Sequence, residues 1–285
     1  MESCSPKRRA TICAVDVVAE VRHLIRSTGR VVTDVVDLRS TNNRVVWLAP
    51  SSVVAKISMD HDRAVRELRT VEALVELGAP VVPPQEIGAE QPLRLGGATV
   101  TFWRYEPQDD VAELDAAQVA HYLALLHEKL ATIESPAPLP SYLDSLRAAA
   151  LLLDQAGFAH DLDGDDRMLL RRALIDGLHQ LAQSAPSEHV LHGSPHRLNI
   201  LTVDEAPAFI DFETVEIGPL EWDLAHLEQD VADVYPAHVD QGVLERCRVL
   251  VSAATATWCW ASVDRGPDMR SHAEHHLASV RSAIH

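Results

Sequence analysis

The sequence predicts an α+β fold with a small strand-rich N-terminal part and a larger, mainly helical C-terminal part. Short segments with the alternation of β-strands are concentrated before residue 106. After residue 115, apolar residues recur mainly at helical spacing. Because strands and helices are segregated along the chain, the pattern is typical of an α+β protein, here in two lobes.

The first part begins with a predicted helix over 14–26, where apolar residues recur at helical spacing. The period then changes, and β-branched residues predict strands over 31–38, 44–48 and 53–57. A second helix is predicted over 60–77. This order places three strands between two helices.

Prolines then keep the chain extended over 79–84. A further strand is predicted over 98–105, and Pro107 ends it. Helices are predicted in the remainder over 116–133, 142–156 and 165–183, and again from 223 to about 284.

Length and composition bound the class of protein. A chain of 285 residues with 47% hydrophobic residues forms one large or two moderate domains. No apolar run reaches the roughly 18–20 residues needed to span a bilayer, and the basic residues near the start precede no apolar segment typical of a secretory signal. Four scattered cysteines predict reduced thiols. We therefore expect a cytoplasmic protein.

The charge balance narrows the partners. With 25 basic and 42 acidic residues, the formal net charge is −17. This balance argues against binding to nucleic acid or to an anionic membrane. It favours a cationic small molecule.

The most informative segment is 191–213. Asn199 closes a short polar loop that contains His192 and Gly193, and Asp211 follows a second apolar run twelve positions later. Two strands of a hairpin bring an amide oxygen and a carboxylate at this spacing together. Oxygen ligands of this kind hold Mg²⁺ on the phosphates of a nucleotide. The segment therefore predicts a magnesium and nucleotide site.

This segment resembles the catalytic segment of the aminoglycoside phosphotransferase and choline-kinase-like family, whose members are relatives of the protein kinases. In that family the loop reads His-Gly-Asp, four residues and then Asn, and the metal-binding Asp follows at about this distance. The resemblance implies a two-lobe protein-kinase-like fold. A nucleotide-binding N-terminal lobe is expected over 1–103, and a helical lobe with the catalytic hairpin and the acceptor site over 104–285.

The resemblance also implies a phosphate-binding pair. Lys56, in the strand 53–57, is expected to contact the α- and β-phosphates and to be held by Glu67 on the following helix. A lone lysine in a strand is ordinarily a solvated residue, and a helical glutamate is ordinarily a surface charge. The downstream motif is what favours the functional interpretation of both residues.

Two further segments are expected to bind the nucleotide. Ser40, Thr41 and Asn42 lie in a polar turn without glycine, which is equally consistent with an ordinary hairpin. Trp103 and Tyr105 end the bridging strand, where the resemblance implies an inter-lobe hinge that lines the adenine pocket. Aromatic residues in this place also pack between lobes.

One position departs from the family. Ser194 stands where the family has its catalytic Asp. A serine can orient the substrate hydroxyl but is too weak a base to take its proton, and a general base contributes about 10²–10⁴-fold. His196 is the first candidate for the missing base and Glu213 the second. The predicted catalytic residues are Ser194, His196, Asn199 and Asp211.

Asp223 matches a family Asp that opens a helix. Its expected role is to anchor the catalytic loop through His192 or Arg197. The acceptor is expected to bind near acidic residues of the following segments. These are Glu216, Glu221, Glu228, Asp230 and Asp233.

The sequence therefore predicts a kinase that uses Mg²⁺ and ATP or GTP. It would transfer the γ-phosphate to a hydroxyl of a small cationic molecule, such as an aminoglycoside-like antibiotic, which would confer antibiotic resistance, or an amino alcohol. Two alternatives stay open. A pseudokinase would bind the nucleotide without turnover because of Ser194, and a plain helical ligand-binding protein would not bind the nucleotide.

Overall fold

The computed structural model describes residues 6–40, 43–108, 114–133, 138–155, 157–159, 161–262 and 267–284. The chain divides into two compact units. The first unit comprises Met1–Leu114 and Asn199–Thr214, and the second comprises Asp115–Leu198 and Val215–His285. Among the described residues, no helix combines the length and the apolar character needed to cross a membrane.

Helices and strands follow one another along the chain as here. They are α1 (Pro6–Ser27), β1 (Val36–Ser40), β2 (Arg44–Trp47), β3 (Val53–Ser58), α2 (His61–Glu76), β4 (Leu93–Leu95), β5 (Ala98–Arg104), α3 (Ala116–Leu130), α4 (Tyr142–Leu153), α5 (Gly164–Ser184), β6 (His189–Leu191), β7 (Ile200–Val203), β8 (Ala206–Phe209), β9 (Glu216–Gly218), α6 (Leu220–Leu224), α7 (Gln229–Asp233), α8 (Gln241–Ala261) and α9 (Pro267–Ile284). The predicted α+β class, with a strand-rich first part and a helical remainder, is confirmed.

The first unit is built on an antiparallel five-stranded sheet in the order β1-β2-β3-β5-β4. All six residues of β3 are buried. Val46, Ala55 and Phe102 pack with Val21 and Ile25 of α1 in one apolar cluster. The central strand is therefore fixed on both sides, which makes it a rigid place from which to present a polar side chain.

Helix α2 begins where Asp60 accepts a hydrogen bond from the backbone N–H of Arg63 at 3.1 Å. This is the usual way in which an aspartate satisfies a free donor at a helix start. The helix ends just before Gly78, which has a φ of +67°. Its buried stripe includes Leu68, Val71 and, at the same helical spacing, the charged Glu67.

A hairpin of β7 and β8 belongs to the first unit. Its two turn residues, Asp204 and Glu205, both have positive φ, as a tight two-residue hairpin turn requires. At the open end, the backbone N–H of Ile210 donates to the carbonyl of Asn199 at 3.0 Å. The hairpin therefore explains the twelve-residue spacing, because it brings Asn199 and Asp211 to the same end.

The second unit is mainly helical, and only the short pair β6–β9 adds strands among its described residues. Its core includes Leu126, Leu146 and Leu174. Helices α5 and α8 approach closely at Gly177, where an added Cβ would lie 2.6 Å from Leu250 Cδ2. Glycine is required there because no side chain fits.

Some predicted boundaries were wrong. The strand expected over 31–38 begins only at Val36, because the backbone N–H groups of Thr33 and Asp34 both donate to the carbonyl of Ala49 outside the ladder. The three-residue strands β4, β6 and β9 were not predicted. Three residues are too few to show an alternation of apolar and polar side chains.

Candidate active site

Lys56 lies at the centre of the first unit's sheet, and its side chain is almost fully buried. Its Nζ atom donates to both carboxylate oxygens of Glu67 on α2, at 2.8 and 2.9 Å. An ammonium group in a buried place needs such partners, since an unpaired buried charge is very costly. The structure thus brings together the lysine and the glutamate that the sequence analysis paired.

Two more carboxylates reach the same ammonium group. Lys56 Nζ lies 2.5 Å from Asp211 Oδ1 and 3.3 Å from Glu213 Oε2. Asp211 follows the hairpin with a φ of +70°, in the left-handed region that non-glycine residues seldom adopt. Oxygens of Glu67, Asp211 and Glu213 lie within 4.8 Å of one another. We call these three residues and Lys56 the carboxylate cluster.

Charge within the carboxylate cluster shifts its pKa values. Burial disfavours the charged form of Lys56, but the carboxylates of Glu67, Asp211 and Glu213 outweigh burial and raise its pKa. Burial raises the pKa of Glu67, and the charges on Asp211 and Glu213 raise it further against the opposing effect of Lys56. A single ammonium group therefore does not neutralise three carboxylates, and the cluster favours additional positive charge.

Asn199 and Asp211 converge on one point. A single atom, Arg39 Nη1, donates to Asn199 Oδ1 at 3.0 Å and to Asp211 Oδ2 at 3.1 Å. The two oxygens are therefore within reach of one cation. An amide oxygen and a carboxylate oxygen, with the nearby carboxylate of Glu213, are the hard oxygen ligands that suit Mg²⁺. The donor set fits the metal that the sequence analysis predicted.

The phosphate-binding turn is described only in part. Thr41 and Asn42 lie outside the described residues, as does the side chain of Ser40. The next residue, Asn43, donates from Nδ2 to Glu213 Oε2 at 2.5 Å. The assignment of Ser40, Thr41 and Asn42 to the nucleotide stays a prediction.

The two hinge aromatics have partners within the first unit. Trp103 Nε1 donates to Thr101 Oγ1 at 2.9 Å. The Tyr105 ring stacks on Trp47, with ring centroids 4.0 Å apart and planes tilted by 6°. Both Trp103 and Tyr105 are only partly buried. They form an aromatic surface of the kind that a flat base stacks on, and their binding of a nucleotide stays a prediction.

The second unit holds a buried network around Asp223. Asp223 Oδ2 accepts from the backbone N–H of His192 at 2.9 Å, and Oδ1 accepts from that of Gly193 at 2.8 Å. His127 Nε2 lies 2.8 Å from Asp223 Oδ2, and His127 Nδ1 lies 2.7 Å from the hydroxyl of Tyr235. Because a carboxylate only accepts, His127 carries its proton on Nε2.

This network fixes the loop that carries Ser194 and His196. Burial opposes ionisation of Asp223, but the hydrogen bond from His127 outweighs burial and lowers the pKa of the carboxyl group. Asp223 therefore stays charged and holds the backbone at Gly193, whose φ is +88°. The backbone N–H of Ser194 donates to His192 Nδ1 at 3.3 Å. Ser194 and His196 are both half-buried.

Comparison with known proteins decides the family. Residues 35–253, most of the chain, match the model of the phosphotransferase enzyme family. The chain belongs to this family. The predicted membership in the aminoglycoside phosphotransferase and choline-kinase-like group is confirmed. No curated protein matches the sequence.

Solved structures show the same fold as this phosphotransferase-family chain. The GDP and kanamycin complex of APH(2″)-IIia is 18% identical with a TM-score of 0.70, covering 92% of this chain and 98% of the other. A choline/ethanolamine kinase family protein from Mesorhizobium loti is 15% identical with a TM-score of 0.67, covering 94% and 95%. The amicoumacin kinase hAmiN in complex with AMP-PNP, Ca²⁺ and Ami is 12% identical with a TM-score of 0.68, covering 93% and 95%. The kinase-like fold is thereby confirmed.

Several residues of this phosphotransferase-family site were missed from the sequence. Arg39 gave no signal that separated it from a surface arginine, and Glu213 was considered only as a replacement base. His127 lies on the apolar stripe of α3 with Leu123 and Leu126, and a polar residue on such a stripe is a signal of a buried partner.

One expectation about the acceptor was wrong. Glu216 and Glu221 were expected to present negative charge, yet both are buried. Glu216 Oε1 accepts from Trp222 Nε1 at 2.8 Å, and Glu221 Oε1 accepts from the backbone N–H of Asp240 at 2.8 Å. These carboxylates hold the second unit together.

Proposed function

We propose that this protein is a Mg²⁺-dependent small-molecule kinase that transfers the γ-phosphate of ATP or GTP to a hydroxyl group. The observation that carries the proposal is the buried Lys56, held by Glu67 from one side and by Asp211 from the other. In kinase-like folds, a strand lysine positioned by a helical glutamate binds phosphate, and the Asp binds the metal.

Each residue near the carboxylate cluster has a role in this proposal. Asn199 and Asp211 would hold the Mg²⁺, and Glu213 lies close enough to the cluster to assist. The metal would supply positive charge to the β- and γ-phosphates. Lys56 binds the α- and β-phosphates with the ammonium charge that its raised pKa maintains. Asp223 is a positioning residue for the loop of Ser194.

Ser194 makes the proton acceptor the unusual part of the proposal. Phosphoryl transfer through a loose transition state depends more on positioning and on metal charge than on removal of the proton. We assign Ser194 to orient the acceptor hydroxyl and His196, two residues later, to take its proton. A neutral imidazole is suited to this role near pH 7.

The acceptor in this proposal is a small hydroxylated amine, and the enzyme works in the cytoplasm. The net charge of −17 supports a cationic acceptor. Relatives of the same fold include a complex with kanamycin and a choline/ethanolamine kinase family protein. An aminoglycoside-like antibiotic or an amino alcohol therefore belongs in the first substrate panel.

The test is the production of ADP or GDP in the presence of hydroxylated amines. The protein is incubated with Mg-ATP or Mg-GTP and each amine in turn, beside the Asp211→Ala protein as a control. Turnover that depends on the acceptor and disappears in Asp211→Ala supports the proposal. Nucleotide binding without turnover for every acceptor would contradict it.

A pseudokinase is the second candidate, and Ser194 in place of the catalytic Asp is the observation that favours it. Such a protein would show a higher melting temperature with Mg-ATP and no turnover. The Ser194→Asp variant adds a test. Retained or increased turnover means that the acceptor follows the family geometry, whereas lost turnover means that the serine contacts the substrate. If no nucleotide raises the melting temperature, the helical ligand-binding alternative is correct.

A further inference from the structure

Arg39 holds the two oxygens that the proposed function assigns to the metal. Its Nη1 atom donates to both Asn199 Oδ1 and Asp211 Oδ2, at 3.0 and 3.1 Å. The other oxygen of Asp211 receives Lys56. Asp211 is thus paired on both oxygens with cations from two different strands of the sheet.

Arg39 and a divalent cation exclude each other at this place. A Mg²⁺ ion takes its oxygen ligands at about 2.0–2.1 Å and requires near-octahedral geometry around itself. A guanidinium nitrogen about 3 Å from the same two oxygens would stand inside the shell of that ion and repel it. The side chain of Arg39 must therefore leave when a metal binds there.

The position of Arg39 in the fold permits such a movement. Arg39 is next to the end of β1, an edge strand, and the pairing of β1 with β2 is interrupted by a register shift between Asp37 and Arg39. Bulges on edge strands redirect side chains without breaking the remainder of a sheet. The Arg39 side chain is 29% exposed, so it has a route to solvent.

We infer that Arg39 is an exchangeable counter-ion of the nucleotide site, a deduction that rests on the proposed function. Without nucleotide, it holds Asn199 and Asp211 in place and offsets the excess negative charge near Lys56. When metal and nucleotide bind, the cation takes over both oxygens, and the guanidinium pairs with the triphosphate. A planar guanidinium is suited to this second partner because it binds phosphate through two parallel hydrogen bonds.

Mn²⁺ as a spin probe tests the exchange without any measurement of turnover. Free Mn²⁺ is titrated by electron paramagnetic resonance against the wild-type protein and against Arg39→Gln, first alone and then with ATP. Metal-free ATP binding is measured separately by calorimetry. The matched control is Arg44→Gln, which removes the same charge from the next strand. Arg44 pairs bidentately with Asp37 instead of the carboxylate cluster, and its side chain is 30% exposed.

The expected result has two opposite signs. Arg39→Gln should bind Mn²⁺ alone about fivefold more tightly than wild type, which is the upper range for a partly exposed charge pair. The same variant should bind metal-free ATP about fivefold more weakly, since it lacks the guanidinium for the phosphates. Arg44→Gln should change neither affinity by more than about twofold, because its charge lies outside the cluster.

Other outcomes separate this inference from the proposed function. If wild type binds Mn-ATP but Arg39→Gln behaves like Arg44→Gln in both titrations, the exchange is wrong and the proposed function stands. If wild type does not bind Mn-ATP, the proposed function fails and the inference fails with it. Arg39→Lys guards against a misfolded variant, since it should keep the metal-free ATP affinity closer to wild type than Arg39→Gln does.

Discussion

Asp211 and Asp223 are both aspartates in polar networks, one in each compact unit, but their surroundings differ in kind. Asp223 is fully buried, and its partners are two backbone N–H groups and a histidine. Asp211 is 21% exposed and faces the cations Lys56 and Arg39. The comparison separates a carboxylate with permanent partners from one whose partners can be replaced.

The physical basis of this difference is the type of donor. Backbone N–H groups cannot leave a loop without unfolding it, so they stabilise Asp223 in one place. Cationic side chains near solvent exchange one anion for another at small cost, because water screens part of their attraction. The account therefore expects mutations at Asp211 to affect chemistry and mutations at Asp223 to affect stability.

The largest expected effect is that of Asp211→Ala on turnover. Loss of a metal ligand should lower kcat by about 10³-fold or more, since metal and charge stabilisation dominate phosphoryl transfer. The free energy of unfolding should change by less than about 1 kcal/mol, because the variant also relieves excess negative charge near Lys56. Steady-state ADP production and urea unfolding measure the two quantities. Substantial turnover in Asp211→Ala would remove this residue from the chemistry.

Asp223→Ala should have the reverse signature. It should reduce the free energy of unfolding by about 3–5 kcal/mol, because His127 and two backbone N–H groups lose their acceptor in a buried place. Urea unfolding checks this value. Asp233→Ala is the matched control, since Asp233 is exposed and accepts a hydrogen bond from Gln229 on its own helix. Equal effects of the two substitutions would contradict the anchoring role.

Lys56→Met tests the buried side of the carboxylate cluster. It should cost about 2–4 kcal/mol of unfolding free energy, because Glu67 remains fully buried without its partner. The double variant Lys56→Met/Glu67→Gln should recover part of that loss, since a neutral amide is cheaper to bury than a carboxylate. Urea unfolding of the single and double variants measures the coupling. Additive losses would show that the pair contributes no coupling.

The smallest expected effect is a dependence of stability on pH from His226. Its Nε2 atom is buried and has no hydrogen-bond partner among the described residues, and burial lowers its pKa from 6.5 to about 4. A depressed folded pKa means that this stability is complete above pH 6.5 and is lost as the pH falls from 6.5 towards 4. Since the residue is partly exposed, we expect about 1–2 kcal/mol.

The measurement for His226 is urea unfolding of wild type and His226→Leu between pH 8 and about pH 4.5, a range set by the histidine titration. The difference between the two proteins isolates this group, because Asp223 and Glu67 titrate in both. The difference should move in favour of His226→Leu as the pH falls. A constant difference would show that His226 titrates alike in the folded and unfolded states.

The sequence predicted those parts of the site that depend on local chain geometry. Asn199 and Asp211 flank one hairpin with a two-residue turn, so their separation along the chain contained the spatial information. Lys56 and Glu67 were identified through the family resemblance, because other glutamates of α2, such as Glu72, looked the same. The fold class followed from segregated periodicities in the same way.

Contacts between distant parts of the chain could not be predicted. Arg39 meets Asn199 and Asp211 across 160 and 172 residues, and no periodicity links such positions. The expected surface charges at Glu216 and Glu221 failed for a similar reason. A glutamate next to Trp222 gives no sign in the sequence that the indole N–H will pair with it.

The central claim is that Asn199 and Asp211 share one divalent cation bound to a nucleotide. The most direct measurement is the affinity for Mn²⁺ in the presence of ATP, by electron paramagnetic resonance, in wild type and in Asp211→Asn. The account predicts that wild type binds Mn-ATP and that Asp211→Asn binds it about 100-fold more weakly, since a neutral amide replaces a charged ligand. Equal Mn-ATP affinity of the two proteins would contradict the account.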